Sequence, residues 1–242
     1  MHSIRRFLFA TVPQKLSRRS VELSLLFGSC LSTAPLLGSV AYSSSALSPP
    51  DLAHRPSIIF FLGAAGSGKG TQCQRLTQRL PHYIHFSAGD LIRKERDTPN
   101  SQYGEIIRVV TKEPGKYVPA HITCDLLERA MKPLTKPSVT FLIDGFPANQ
   151  ANLTAWEELM QPRYDVRCVI FLECPEAVSV ARGMSRQRGD DFEEGLRIRF
   201  REYLRQTVPI VEHYEALGML HRIDGTQSEE VVTGDILKAL NA

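Results

Sequence analysis

Past its first fifty-odd residues the chain alternates short apolar runs with longer amphipathic stretches. The run S-I-I-F-F-L-G (57–63) is almost unbroken, as expected of a strand buried on both faces. Four further runs have strand character: Y-I-H-F-S (83–87), V-T-F-L-I-D (139–144), V-R-C-V-I-F-L-E (166–173) and the shorter L-H-R-I-D (220–224). Helical stretches separate them, the first over 69–80 and the longest from about Asp191 to Leu217. Strands alternating with helices predict an α/β fold, a doubly wound parallel sheet of five strands between two helical layers. Ligands of such sheets bind at the carboxyl ends of the strands. No internal repeat is visible.

The first 55 residues break this pattern. They are rich in Ser, carry paired arginines and are nearly free of acid. Residues 1–50 hold Arg5, Arg6, Lys15, Arg18 and Arg19 against Glu22, so a net charge of +3 for the chain leaves the remainder at −1. A near-neutral body excludes broad, sequence-independent nucleic-acid binding, which needs a basic face. Three readings of the leader stay open. Arg and Ser without acid fit a mitochondrial presequence, which is the expectation adopted. The uncharged run 23–42 fits a secretory signal or membrane anchor, although its Gly, Ser and Pro35 make it weakly apolar. An extension with no address would leave the protein cytoplasmic. The stretch S-S-S-A-L-S-P-P ending at Pro50 reads as a linker, which divides the chain into a leader (1–55) and one domain (56–242). The five cysteines (Cys30, Cys73, Cys124, Cys168, Cys174) form no C-x-x-C pair, so reduced, buried thiols are expected rather than a zinc site or disulfide framework.

The first predicted strand runs into G-A-A-G-S-G-K-G-T, Gly63 to Thr71. G-x-x-x-x-G-K between a strand and a helix is a phosphate loop. Its glycines let backbone amides turn inward on an anion, and the helix after it aims its positive end at the same point. Lys69 would reach the outer phosphates. The residue after Lys69 is Gly70 rather than the usual magnesium-holding Ser or Thr, with Thr71 one place later. Magnesium would then be held less directly, through waters on Asp144 at the tip of the third strand. The alternative role for Asp144 is to cap the turn that follows it.

G-S-G-K-G-T with glycine after the lysine resembles the nucleoside monophosphate kinases of the adenylate kinase superfamily. Other words strengthen the resemblance: F-S-A-G-D-L-I-R (86–93), G-K-Y-V-P (115–119), D-G-F-P (144–147), A-R-G-M-S-R-Q-R-G-D-D (181–191) and R-I-R-F-R-E-Y (197–203). It covers roughly residues 57–240, with the motifs spaced as that family spaces them. The resemblance implies a P-loop core, a small acceptor-binding segment (87–118) and a short lid (182–192). It implies two ligands, ATP with Mg²⁺ and a nucleoside monophosphate, and a monomeric protein. ATP would lie on Gly63, Gly66, Ser67, Gly68, Lys69, Gly70, Thr71 and Arg182. The acceptor would meet Ala88, Arg93, Lys116, Tyr117, Val118, Gly145, Asn152, Arg188 and Arg199. Lys69, Arg93, Arg182, Arg188 and Arg199 would neutralise the phosphoryl group in flight, since arginine's planar fork grips phosphate oxygens in pairs. The lid is too short to carry an inserted domain, and its closure would keep water from the reaction.

Ala88 and Asn152 stand where adenylate kinases of the family usually have Thr and Gln, and they resemble the pyrimidine-accepting UMP/CMP kinases. AMP is the competing acceptor. One departure is pronounced. The family's strand-three turn reads G-F-P-R, and here it reads G-F-P-A, with Ala148 in place of an arginine on the acceptor phosphate. The pyrimidine-type members also carry Asp where this chain has Ala151. Loss of one donor at a reacting group costs roughly 3–4 kcal/mol, about 10²–10³ in rate. Either a neighbouring cation (Lys116, Arg186 or Arg201) partly substitutes and the protein is a working kinase, or it binds nucleotides as a sensor or partner with little catalysis. A third reading, another P-loop class such as a GTPase, is disfavoured by the lack of an N-K-x-D guanine-reading stretch or switch-type signal. If the lost donor is the deficiency, Ala148→Arg will raise turnover in a coupled ADP-release assay; an unchanged rate rejects that explanation.

Overall fold

A computed structural model describes residues 55–136, 138–186 and 191–241. The leader up to residue 54, with its candidate membrane run, and the lid residues 187–190, including Arg188, lie outside the described residues. No helix among the described residues is long and apolar enough to cross a membrane.

The five expected strands form one parallel sheet: β1 (Ser57–Leu62), β2 (Tyr83–Ser87), β3 (Thr140–Asp144), β4 (Asp165–Glu173) and β5 (Leu220–Asp224), in the order β2-β3-β1-β4-β5. The continuous apolar runs are explained by burial on both faces. Ile58, Phe60 and Leu62 point into one layer and Ile59 and Phe61 into the other, the period of two that a strand imposes. The first layer is filled by α4 (Ala120–Met131), α5 (Gln150–Leu159), α7 (Glu193–Glu202) and α8 (Val208–Ala216). The second is filled by α1 (Lys69–Arg79) and α9 (Glu229–Leu240). Between β2 and α4, α2 (Ala88–Asp97) and α3 (Gly104–Thr111) project as the expected acceptor segment, with a small apolar nucleus of Ile107, Val118, Ile122 and Leu126. After β4, α6 (Glu176–Ser185) leads into the lid. Cys73, Cys124, Cys168 and Cys174 are buried free thiols, and burial pushes Cys124 up to about 12 and Cys168 up to about 11.

Register brings the site together. Asp144 pairs with Phe61 on one side and Ser87 on the other, and Asp224 pairs with Glu173. The carboxyl ends of β1, β2 and β3 therefore lie side by side, with those of β4 and β5 beyond.

The long helical stretch expected over 191–217 runs without a break from Glu193 to Ala216, though not as one regular α-helix. Between α7 and α8 the turn Tyr203–Thr207 widens to a π-helical one, with the Val208 N–H bonded to the Tyr203 carbonyl. Pro209 is the cause: it has no N–H, and in a regular helix its ring would press on the Arg205 carbonyl four residues back. The widened turn points Thr207 at the β3 turn, where its Oγ1 donates to the Ala148 carbonyl at 2.7 Å.

Trp156 anchors the first layer, edge-on to Phe60 at 5.0 Å and 5.8 Å from Phe146. Trp156→Ala is expected to cost about 3–5 kcal/mol of stability. Urea unfolding followed by circular dichroism checks this, because the variant keeps no tryptophan for fluorescence; a loss below ~1 kcal/mol would contradict the packing.

Candidate active site

The loop after β1 must bend sharply and bare its amides. Gly66 (φ 90°) is forced, because a Cβ there would lie 2.0 Å from the Ser179 carbonyl oxygen. Gly68 (φ 98°) opens α1 in the left-handed region, where a side chain is disfavoured. Ser67 Oγ is buried with no hydrogen-bond partner among the described residues. It lines a cavity of about 520 Å³ together with Gly66, Gly68, Lys69, Gly70 and Thr71. This is a donor cavity of the size that takes a nucleotide.

The Lys69 ammonium donates to the Gly63 and Ala64 carbonyls, both at 2.8 Å, and lies 4.0 Å from Asp144. Burial pushes its pKa below the ordinary lysine value, Asp144 pushes it back up and Arg186 pushes it down. Asp144 also faces His85, 3.9 Å away across the β2–β3 edge. Burial holds His85 below the usual histidine value, with Asp144 and Asp90 opposing that shift.

On the far wall of the donor cavity Arg182 reaches the loop after β5, donating to Gly225 O at 2.6 Å and Thr226 O at 3.3 Å. Asp224 braces that loop by accepting from Thr226 N (2.9 Å), Thr226 Oγ1 (2.6 Å) and Gln227 Nε2 (2.8 Å). These bonds hold its carboxyl down at about 2.

A second cavity of about 280 Å³ opens toward the acceptor segment. Arg93, Lys116, Tyr117, Gly145 and Arg199 line it, and so does Ala148. Arg93 pairs with Asp90, and Lys116 with Glu113 at 3.6 Å. Lys69, Asp144 and Arg186 are the three described residues that line both cavities, so the two meet there. Asp191, whose side chain is 0% exposed, holds Arg199 at 2.8 Å with one oxygen and Arg186 at 3.1 Å with the other.

Several expectations need correction. Gly63 lines the acceptor cavity rather than the donor one, because it lies at the strand end, behind the turn that forms the cradle. Ala88, Val118 and Asn152 are buried and line neither cavity. Ala88 packs into the core, Val118 joins the α3–α4 nucleus, and the Asn152 side-chain oxygen accepts from Ala148 N–H at 3.2 Å. Arg201 is on neither wall; it points outward and pairs with Glu194 at 3.3 Å. Asp191, Asp224 and His85 were missed. The D-D pair closing the lid and the I-D-G-T-Q turn after the fifth strand were the available signals for the first two.

A phosphate cradle and a second, smaller cavity that share a lysine and a carboxylate define a P-loop phosphotransferase acting between two phosphorylated ligands. The chain belongs to the adenylate kinase family, whose model matches residues 61–219, and it is a nucleoside monophosphate kinase. It is 43% identical over 191 residues to the UMP-CMP kinase of Rattus norvegicus, covering 76% of this chain and 96% of that protein. The UMP-CMP kinase of Danio rerio is 42% identical over 193 residues, 77% of this chain and 97% of that protein. That of Homo sapiens is 41% identical over 191 residues, 76% and 96%.

Gly66→Ala tests the cradle against a glycine of the same chain that has room. The added methyl is expected to weaken ATP binding, read by calorimetry, at least ~10-fold, or about 1.4 kcal/mol. A Cβ added at Gly234 of α9 would meet nothing within 4 Å, so Gly234→Ala should leave binding alone and add about 0.5–1 kcal/mol of stability. Unchanged ATP affinity in Gly66→Ala would contradict the geometry.

Proposed function

We propose that the protein transfers the terminal phosphoryl group of ATP to a pyrimidine nucleoside monophosphate, CMP or UMP. The observation that carries this reading is the meeting of two unequal cavities at Lys69 and Asp144. ATP occupies the cradle with its outer phosphate at Lys69. The acceptor lies along Arg93, Lys116, Tyr117 and Arg199. An oxygen of the acceptor phosphate attacks the terminal phosphorus, a new P–O bond forms, and the bond to the bridging oxygen of ADP breaks. Two diphosphates leave, and no covalent enzyme intermediate is needed. The protein's task is to align the groups and to neutralise charge spread over the transferring oxygens. Lys69 must slip from the Gly63 and Ala64 carbonyls to a phosphate oxygen, exchanging neutral acceptors for a charged one. Arg199, pinned by buried Asp191, meets the acceptor side with little reorganisation.

Magnesium fits the donor cavity as a companion of ATP. Among the described residues no three His, Cys, Asp or Glu side chains cluster to cage a metal. Asp144 lies on the wall shared by the two cavities, and a water-rich Mg²⁺ takes one or two carboxylates plus substrate phosphates. Asp144 would hold it, and the ion would screen the charge between the outer phosphates.

The pyrimidine reading is supported by the relatives named UMP-CMP kinases, aligned over nearly their whole length. Asn152 acts from behind the wall, fixing the turn that carries Ala148. A coupled ADP-release assay with CMP, UMP, dCMP and AMP checks the proposal. kcat/KM for CMP or UMP should exceed that for AMP by at least ~10-fold. AMP used equally well would remove the pyrimidine reading. Tight ATP binding with no turnover on any acceptor would remove the enzymatic one and leave a nucleotide-binding partner or sensor.

A further inference from the structure

We propose that a third cavity, between the carboxyl ends of β4 and β5 and the widened turn, binds an organic cation with an apolar, aromatic body and an ammonium group. The cavity measures about 530 Å³, in the range that takes a small organic molecule. It shares Tyr203 with the acceptor cavity and no described residue with the donor cavity. Nothing in the phosphoryl transfer uses it. The site itself does not depend on the kinase reading, whereas its effect on the acceptor rests on that reading.

The floor calls for an apolar body. Phe171, Phe200 and Val211 are buried beneath it, and Tyr203 lies against Phe200 with ring centroids 5.5 Å apart. Leu204 stands on the rim, 51% exposed, where a ligand's ring would cover it. Seating a ring there removes apolar surface of both partners from water.

The rim sets the sign of the ligand's charge. Glu173 and Asp224 line the cavity against one cation, Arg222. Arg222 is already engaged: Glu215 holds it through two bonds of 2.8 Å, and its guanidinium lies over the Phe171 ring, 5.3 Å from the centroid. Asp224 is spent on Thr226 and Gln227. Glu173 lies 3.8 Å from Arg222, beyond hydrogen-bond reach, and is the carboxylate open to a ligand. Three carboxylates therefore stand around one guanidinium. The Tyr203 hydroxyl registers the same balance: burial first and Glu173 next push it up to about 12, and Arg222 opposes them less strongly. An ammonium at Glu173 meets a net negative rim, and an anion of the same shape is repelled.

Tyr203 carries occupancy to the acceptor wall. Its carbonyl accepts from Val208 N–H across the widened turn, and Thr207, the last residue of that turn, holds the Ala148 carbonyl. A ligand seated on Tyr203 and Leu204 fixes the turn in the arrangement that completes the acceptor cavity. Preorganising that wall lowers the cost of binding the acceptor, so each ligand tightens the other.

The test titrates the full chain, methyl-labelled at Leu and Val, with naphthylmethylammonium, its neutral analogue naphthylmethanol and the anion naphthoate, followed by NMR. The cation should bind saturably with a Kd of about 1 mM or tighter and shift the methyls of Leu204, Val208 and Val211. It should bind at least ~5-fold more tightly than the neutral ring, and the anion more weakly than either. Glu173→Gln should bring the cation within ~2-fold of the neutral ring while leaving turnover without probe within ~2-fold of native. Leu204→Arg, a change at an exposed rim position, should abolish the preference for the cation. With ATP saturating and CMP as acceptor, the bound cation should lower KM for CMP at least ~2-fold. No saturable binding up to ~10 mM, equal binding of the three rings, or shifts confined to methyls elsewhere would overturn the site. An unchanged KM for CMP with the cation bound would overturn the coupling. If the native chain turns over no acceptor, the kinase reading fails by itself, and the titration still decides the site.

Discussion

The site is governed by repulsion among its own cations. Lys69, Arg93, Arg182, Arg186 and Arg199 converge on the carboxyl edge of one sheet, as binding of phosphates demands. Two unit charges 4 Å apart at an effective dielectric constant of 20 interact by about 4 kcal/mol. Such a cluster can stay folded only if each member has somewhere to lean. Lys69 leans on two carbonyls of its own loop, Arg182 on two carbonyls after β5, Arg93 on Asp90, and Arg186 and Arg199 on Asp191. These supports are weaker acceptors than a polyphosphate or carry less charge, so the ligand can compete for the cations without dismantling the fold. The aspartates Asp90 and Asp191 are thus as much a part of phosphate recognition as the basic residues they hold.

The scaffold explains why these groups can be placed so closely. Parallel strands end together, and register sets Asp144 beside Phe61 and Ser87. The loop after β1, the N-terminus of α2 and the turn after β3 therefore share one small volume. β4 and β5 finish the edge with Glu173 and Asp224, where Asp224 shapes the turn that receives Arg182. Helices beyond the sheet complete both sides: α1, α6 and α9 the donor cavity, and α2, the loop between α3 and α4, α7 and the widened turn the acceptor one.

What could be read in the sequence follows from this division. Runs such as S-I-I-F-F-L-G and F-L-I-D announce buried parallel strands directly, and G-S-G-K between strand and helix has one geometric solution. Residues that act by type and local spacing, such as Lys69 and Asp144, were legible. Residues that act through long-range packing were not. Asp191 looks like any lid-edge acid until burial shows it between two arginines. Nothing in the letters places the Asn152 oxygen on Ala148 N–H. Arg201 and Arg186 are equivalent as letters, and only α7's rotation turns one outward while the end of α6 turns the other in. Pro209 was visible in the sequence, but its effect requires knowing that the helix continues past it rather than stopping.

Ala148 shows why losing a charged side chain need not mean losing the site. The structural work at this position belongs to the backbone, whose N–H holds Asn152 at the start of α5 and whose carbonyl receives Thr207 from the widened turn. Any side chain that permits those two bonds preserves the acceptor wall. Electrostatic work carries no such attachment to one element, because a guanidinium is useful wherever it comes within reach of the phosphoryl oxygens. The geometry of a transfer site is thus fixed more strictly by its backbone hydrogen bonds than its charge is by any one residue.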